Sequence, residues 1–373
     1  MPKVSVIIPS YNHEKYISKA IQSVLDQTFT DFEIVITDDY SLDKSVDEIK
    51  KFTDPRIKLF CFEKNKGACL AVKNCIENST GEYIALLNSD DIFLIDKLEK
   101  QVKFLDEHNE IGAVFGLAEI IDEDDNIFKD QTHPYYKIFK QANRSKEEWL
   151  RRFFFESNCL CHPSILIRRK CYEDVGLYDP RLAQLPDLEF FTRLCLKYEI
   201  HIIQENLIKF RVRANEANAS GQNPKAINSN LFETNHILKN YLKIDSIEFF
   251  KKIFPEYINF KWELDKDLIP FALAMIILEN EASIPTQYKI IYKNFALNII
   301  YKLLENEELV KKLETDCNFR YIDFIKLTGQ GDYRRFTYDK KVFDLFEKII
   351  NLLKIILPEN SLRRKFIKRI IKR

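Results

Sequence analysis

No glycine occurs before Gly67, and the chain of 373 residues contains only eight. A turn that cradles phosphate with bare backbone needs glycines directly after the first strand. The opening "KVSVIIPSYN" has none, which excludes a dinucleotide fingerprint, a P-loop and the glycine-rich loop of a sugar-phosphate nucleotidyltransferase. Net charge is lacking as well: 57 Lys and Arg balance 57 Asp and Glu, so bulk electrostatics gives no reason to expect a nucleic-acid partner. No two of the eight cysteines stand as Cys-x-x-Cys, which speaks for buried, reduced thiols over a zinc site or a disulfide frame. The N-terminal apolar run is too short for a signal peptide, and no later segment approaches the roughly 18 apolar residues of a membrane span. A cytoplasmic protein is expected.

What is present is a hydrophobic share of 46%, enough for a sizeable core, in a length that implies one large domain with an appendage or two domains. Over the first 120 residues, apolar β-branched runs alternate with segments of helical period. "KVSVIIP", "FEIVIT", "IKLFCF", "EYIALL" and "IGAVFG" read as strands. "HEKYISKAIQSVLDQ", "LDKSVDEIKKF", "ACLAVKNCIENS" and "LIDKLEKQVKFLDEH" read as helices between them. This predicts an α/β protein with a Rossmann-like, mostly parallel sheet flanked by helices. Ligands of such sheets sit beyond the carboxyl ends of the strands. The loops there read "PSYN" at 9–12, "DDYS" at 38–41, "EKNKG" at 63–67 and "NSDD" at 88–91, and two of them carry paired carboxylates. Without glycines, a phosphate ligand needs another partner. A divalent cation held by carboxylate oxygens, Mg2+ or Mn2+, supplies one.

From about 150 to 212 the pattern changes, ending in strand-like "LIKFRVR". Beyond about 225 the chain is largely helical in period. The turn-rich stretch around 218–224 marks the expected boundary between a domain over 1–222 and a helical C-terminal region over 223–373. The last thirteen residues carry Arg363, Arg364, Lys365, Lys368, Arg369, Lys372 and Arg373 without an acid. Basic residues surround a face of Leu362, Phe366, Ile370 and Ile371 there. Such a tail is either a solvated end helix or a peripheral contact with the anionic inner face of a cell membrane.

Taken together, "VSVIIPSYN", "SVLDQTFTDFEIVITDDYSLDKSVDEI", "NKGACLAVKNCIENSTGEYIALLNSDD" and "HPSILIRRKCYEDVGLYDPRL…PDLEFFTRL" resemble the inverting family 2 glycosyltransferases of GT-A fold. The likeness covers roughly residues 3–220, in the family's order. It implies a metal-dependent transfer of a sugar from a nucleotide diphosphate donor, a UDP-sugar, to a hydroxyl of a glycan or lipid-linked acceptor in bacterial surface polysaccharide synthesis. It also implies roles. Asp38 and Asp39 face the nucleotide, with Asp39 on the uracil ring. Asp90 closes the Asp-x-Asp element and binds Mn2+ or Mg2+, and Asp91 beside it belongs to the same metal site, acting through water, or caps the following helix. Asp187 is the base. Pro9, Tyr11, Asn12, Asn65, Gly67, Lys73, Asn88 and Ser89 border the donor, and Arg211 and Arg213 meet the diphosphate.

Departures from the family pattern are Asn88 for an aspartate, Tyr40 for a glycine, Pro186 for the glutamate beside the base and Arg213 for a histidine. Each acid also has a plain structural reading, since Asp38, Asp39 and the "NSDD" acids are ordinary turn and cap residues. His162 reads more readily as a packed histidine than as a ligand. Two classes therefore stay open: a glycosyltransferase, or a non-catalytic module of the same fold that binds nucleotide sugar or glycan.

Overall fold

The computed structural model describes residues 1–213 and 224–329. Eight strands form one sheet: β1 (Val4–Ser10), β2 (Phe32–Asp38), β3 (Ile57–Cys61), β4 (Tyr83–Leu86), β5 (Ile92–Phe93), β6 (Ile111–Ile121), β7 (Leu166–Arg168) and β8 (Glu199–Arg211). Their order is β3-β2-β1-β4-β7-β6-β8-β5. The helices of the first half are α1 (Ile17–Leu25), α2 (Ser45–Lys50), α3 (Ala68–Glu77) and α4 (Lys97–Glu107). Next come α5 (Tyr135–Ile138), α6 (Lys146–Glu156), α7 (Arg169–Val175) and α8 (Pro186–Cys195).

β1 shows no alternation, because both of its faces are covered: Val4, Val6, Ile7 and Ile8 are all fully buried. α1 lays Ile17, Ala20, Ile21 and Val24 into the same core, at the helical spacing read from the sequence. α6 starts on a capping box, in which Glu148 N–H donates to Ser145 Oγ while Ser145 N–H donates to the Glu148 carboxylate.

The mostly parallel expectation holds for β3-β2-β1-β4. Beyond β4 the sheet is mixed. β7 runs antiparallel to β4 and β6, β5 runs antiparallel to β8, and β6 and β8 are parallel. The strand that reverses the direction, β7, has only three residues. A segment that short carries no periodicity to read.

Helices α9 (Pro224–Leu238), α10 (Ile247–Ile253), α11 (Ile269–Glu279) and α12 (Lys289–Leu303) follow, giving the helical region expected. They pack across the boundary drawn at 222, and one compact unit runs from Met1 to Leu303. Tyr241 Oη donates to the Leu150 carbonyl at 2.7 Å, Tyr292 Oη donates to the Phe154 carbonyl, and Glu233 binds the backbone ahead of α8. Packing thus runs across a point where composition changes.

A second unit begins at Leu304 and contains α13 (Glu307–Cys317), capped by Asn306, and α14 (Tyr321–Gly329). The basic tail lies outside the described residues. Among the described residues no helix is long and apolar enough to cross a membrane.

All eight cysteines are free thiols and six are buried. Cys61 is an exception to the buried expectation: it is exposed at the end of edge strand β3, and Cys317 is partly exposed.

Candidate active site

The loops after β1, β2 and β3 are tied to one another by short side chains. Asp38 ends β2 fully buried, its Oδ1 accepting Ser41 N–H at 2.8 Å and its Oδ2 accepting Ser41 Oγ–H at 2.6 Å. Asn12 takes a left-handed φ of 52° and accepts Leu42 N–H on Oδ1 at 2.8 Å, while its own N–H donates to Ser41 Oγ. Tyr40 also has positive φ, 67°, where the family pattern has glycine.

Asp39 accepts Lys66 N–H at 2.6 Å and Gly67 N–H at 2.8 Å, one on each carboxylate oxygen, and Asn65 Nδ2 donates to its carbonyl at 3.3 Å. Gly67, at φ +93°, occupies a backbone region that costs other residues energy. The structure therefore gathers Asn12, Asp38, Asp39, Asn65 and Gly67. Pro9 lies in β1, and Tyr11 is exposed just beyond it. Lys73 stands on α3, its ammonium 3.6 Å from Glu77 of the same helix.

The loop after β4 joins this group through the segment that follows β1. His13 N–H donates to Ser45 Oγ, and the His13 ring Nδ1 lies 2.7 Å from Ser89 Oγ. Asp90 Oδ2 is 3.4 Å from Arg213 Nε and 3.7 Å from His13 Nε2. The structure thus brings Asp90, Ser89 and Arg213 together, with His13 as a member the sequence reading passed over. Burial lowers the His13 pKa despite the Asp90 charge, which favours the neutral ring.

Two expected site residues are corrected by their surroundings. Asp91 is buried, with Oδ1 accepting Arg211 N–H at 2.8 Å and Oδ2 accepting the Asn88 amide at 3.0 Å. Burial first, and then the Asp90 charge, push its carboxyl well above the usual range. Such a group braces the loop and is poorly placed to be a metal ligand.

Arg211 is fully buried. Its Nε donates to the Asp90 carbonyl at 2.7 Å, its Nη1 to the Asp122 carbonyl at 2.7 Å and its Nη2 to Asp125 at 2.5 Å, and its guanidinium lies over the Tyr16 ring. The diphosphate role expected for it is therefore not supported. β8 ends at Arg211, so strand geometry no longer governs Arg213 two residues on, and the two arginines part.

Asp187 lies in the first turn of α8, behind Pro186. Its Oδ2 accepts the Asn158 amide at 2.6 Å and its Oδ1 accepts Leu188 N–H at 2.7 Å. Burial pushes its carboxyl up to about 6. The turn ahead of it is clamped by Glu233 of α9, whose carboxylate accepts N–H groups of Ala183, Gln184 and Leu185.

Contact with the Gly67 loop runs through Cys69, two residues further on. Its thiol lies 3.6 Å from the Leu182 carbonyl and is pushed up to about 12, by burial first and then by nearby carboxylates. His162 is a packed histidine, bonded to Tyr178 Oη at 2.7 Å and lowered to about 4 by burial. Asn158 and Glu233 carried no sequence signal, since each stands among other polar residues, in "ESN" and "ETNH", with nothing to single it out.

Among the described residues no three His, Cys, Asp or Glu side chains are grouped as an all-protein metal cage. A divalent ion that bridges phosphates needs less, because it keeps waters and takes one or two protein ligands. Asp90, with His13 beside it, meets that requirement.

The family model of glycosyl transferase family 2 matches residues 5–176. An uncharacterized glycosyltransferase of Methanocaldococcus jannaschii is 33% identical over 216 residues, which is 57% of this chain and 71% of that protein. The Escherichia coli UDP-Glc:alpha-D-GlcNAc-diphosphoundecaprenol beta-1,3-glucosyltransferase WfgD is 39% identical over 142 residues, 37% of this chain and 56% of that protein. Among solved structures, S. aureus TarS 1–349 in complex with UDP-GlcNAc superposes with a TM-score of 0.56 at 18% identity, covering 80% of this chain and 92% of that one. This last likeness concerns the GT-A fold alone. With the sheet, the loops and the sequence match in agreement, the chain belongs to glycosyl transferase family 2 and is a glycosyltransferase.

Proposed function

We propose that this enzyme transfers a sugar, with inversion, from a UDP-linked donor to a hydroxyl of a glycan or lipid-linked acceptor in surface polysaccharide synthesis. The observation that carries the reading is a contact between the turn ahead of α8 and the Gly67 loop: the Cys69 thiol, two residues past the Gly67 that Asp39 holds, donates to the Leu182 carbonyl at 3.6 Å, five residues before Asp187. UDP as the nucleotide is supported by the donor in the name of WfgD and by the ligand in the TarS complex. A lipid-linked acceptor is supported by the diphosphoundecaprenol in the former name.

In this reading the loops 9–12, 38–41 and 65–67 border the nucleoside, with the Asp39 carboxylate beside the base. Asp187 accepts the proton of the acceptor hydroxyl as its oxygen attacks the anomeric carbon from the face opposite the diphosphate. A carboxylate poised near 6 takes a proton readily and is still ionised at neutral pH, and such a base accelerates transfer by roughly 10² to 10⁴. Asp90 would hold Mn2+ or Mg2+, which as a Lewis acid neutralises charge on the departing diphosphate. Arg213, already on Asp90, adds a fixed positive charge at the same place.

The test is UDP release from a panel of UDP-sugars with manganese, for the native chain and for Asp187→Asn. Turnover with one donor, lost in the variant, is expected. Nucleotide affinity with no turnover sensitive to Asp187 would overturn the proposal in favour of a binding role.

A further inference from the structure

Asp90, His13, Ser89 and Arg213 form a cluster whose geometry is more specific than a lone metal-binding carboxylate. Asp90 Oδ2 and His13 Nε2 stand 3.7 Å apart, too far for a hydrogen bond. A cation about 2.1 Å from each of two ligand atoms separates them by roughly 3 to 4 Å, so a single ion fits between this pair.

The His13 ring is also turned the right way. Arg213 Nη1, 2.9 Å from Nε2, can only donate, so Nε2 bears the lone pair. The neutral ring therefore carries its proton on Nδ1, where Ser89 Oγ receives it at 2.7 Å. A neutral imidazole oriented through its other nitrogen is the form that binds metals. Finally, Arg213 touches both atoms a cation would use, with Nε 3.4 Å from Asp90 Oδ2 and Nη1 on His13 Nε2.

We infer that His13 is the second protein ligand of the divalent cation assigned to Asp90, and that the Arg213 guanidinium holds the cation's place until metal and nucleotide diphosphate enter. The inference rests on the Asp90 assignment above. The exchange replaces one cation by another on the same two atoms and frees a planar, fork-shaped donor for the phosphate oxygens. An imidazole ligand further biases the site towards first-row transition ions such as Mn2+ over Mg2+.

The test is Mn2+ binding to the full chain, followed by electron paramagnetic resonance with and without UDP, in native protein and in His13→Ala, Asp90→Asn and Arg213→Ala. His13→Ala is expected to weaken Mn2+ binding by about tenfold or more. Arg213→Ala is expected to tighten it when UDP is absent, because a competing cation has gone. Pulsed measurements on native protein grown with 15N-histidine should show a ring nitrogen coupled to the manganese, a readout that does not require any variant to fold.

No nitrogen coupling, or unchanged affinity in His13→Ala while Asp90→Asn loses the metal, overturns the inference and leaves the Asp90 assignment standing. Unchanged or weaker Mn2+ binding in Arg213→Ala overturns the exchange. Mn2+ binding indifferent to Asp90→Asn overturns the assignment beneath both.

Discussion

Glu233, on a helix of the C-terminal region, accepts the backbone N–H of Leu185 at 2.7 Å, two residues ahead of Asp187. The same carboxylate accepts Ala183 N–H at 2.8 Å and Gln184 N–H at 3.0 Å, so a single buried side chain satisfies three consecutive donors before α8. Glu233→Ala should cost roughly 2 to 3 kcal/mol, since hydrogen bonds to a charged acceptor are lost and buried donors are left behind. Thermal unfolding measures this. Turnover should fall more than donor affinity, because the loosened turn carries the proposed base and not the nucleotide loops.

Asp187 should impose a pH profile. Its carboxyl, pushed up to about 6 by burial, must be ionised to accept a proton, so kcat is expected to rise as pH passes through about 6 and to level off above it. Asp187→Asn should lower kcat by roughly 10² to 10⁴ and abolish that rise. The stability sign is the reverse. A carboxyl raised above its unfolded value of 3.8 favours the folded state fully below that pH and loses the contribution as pH climbs through about 6. Asp187→Asn should therefore flatten the decline in thermal stability between those two values.

Asp90 and Asp91 are neighbours with different expected phenotypes. Asp91→Asn places an amide where two protein donors now converge, so it should lower the melting temperature and leave Mn2+ affinity largely intact. Asp90→Asn should do the opposite, removing Mn2+ binding with little change in melting temperature. Calorimetry paired with a manganese titration separates the two.

Tyr40→Gly addresses the left-handed residue in the nucleotide loop. A φ of 67° costs a residue with a Cβ about 1 to 2 kcal/mol, while glycine's greater freedom when unfolded returns roughly 0.5 to 1. A net gain of about 0 to 1.5 kcal/mol in unfolding free energy is expected. The Tyr40 ring is 46% exposed beside Asp39. If it stacks on the nucleotide base, UDP affinity measured by titration will fall in the same variant.

Much of the fold was legible because burial imposes simple periods. β1, β2 and β4 are buried along almost their whole length and mostly apolar, as strands covered on both faces are, and α1 and α4 show one apolar stripe each. The site loops were legible for a related reason, since each apolar strand run breaks off into a short polar stretch where it leaves the sheet. Asp91 and Arg211 were misread because sequence spacing shows neither exposure nor partners. In the fold each is buried against the other, through Arg211 N–H and Asp91 Oδ1.

By itself, then, the order of residues determined the alternation of strands and helices, the loops in which chemistry could occur and the family to which they belong. These follow from local rules of propensity, burial period and turn chemistry, which act over a few residues. Only tertiary structure decided which partners each acid has, such as the Arg211 N–H and Asn88 amide on Asp91 and the Lys66 and Gly67 N–H groups on Asp39. It also brought His13 to within reach of Asp90 and Arg213, and set Glu233 behind Asp187 from a helix some fifty residues away. Those outcomes depend on hydrogen bonds between distant segments and on the burial they create, and no local pattern encodes either.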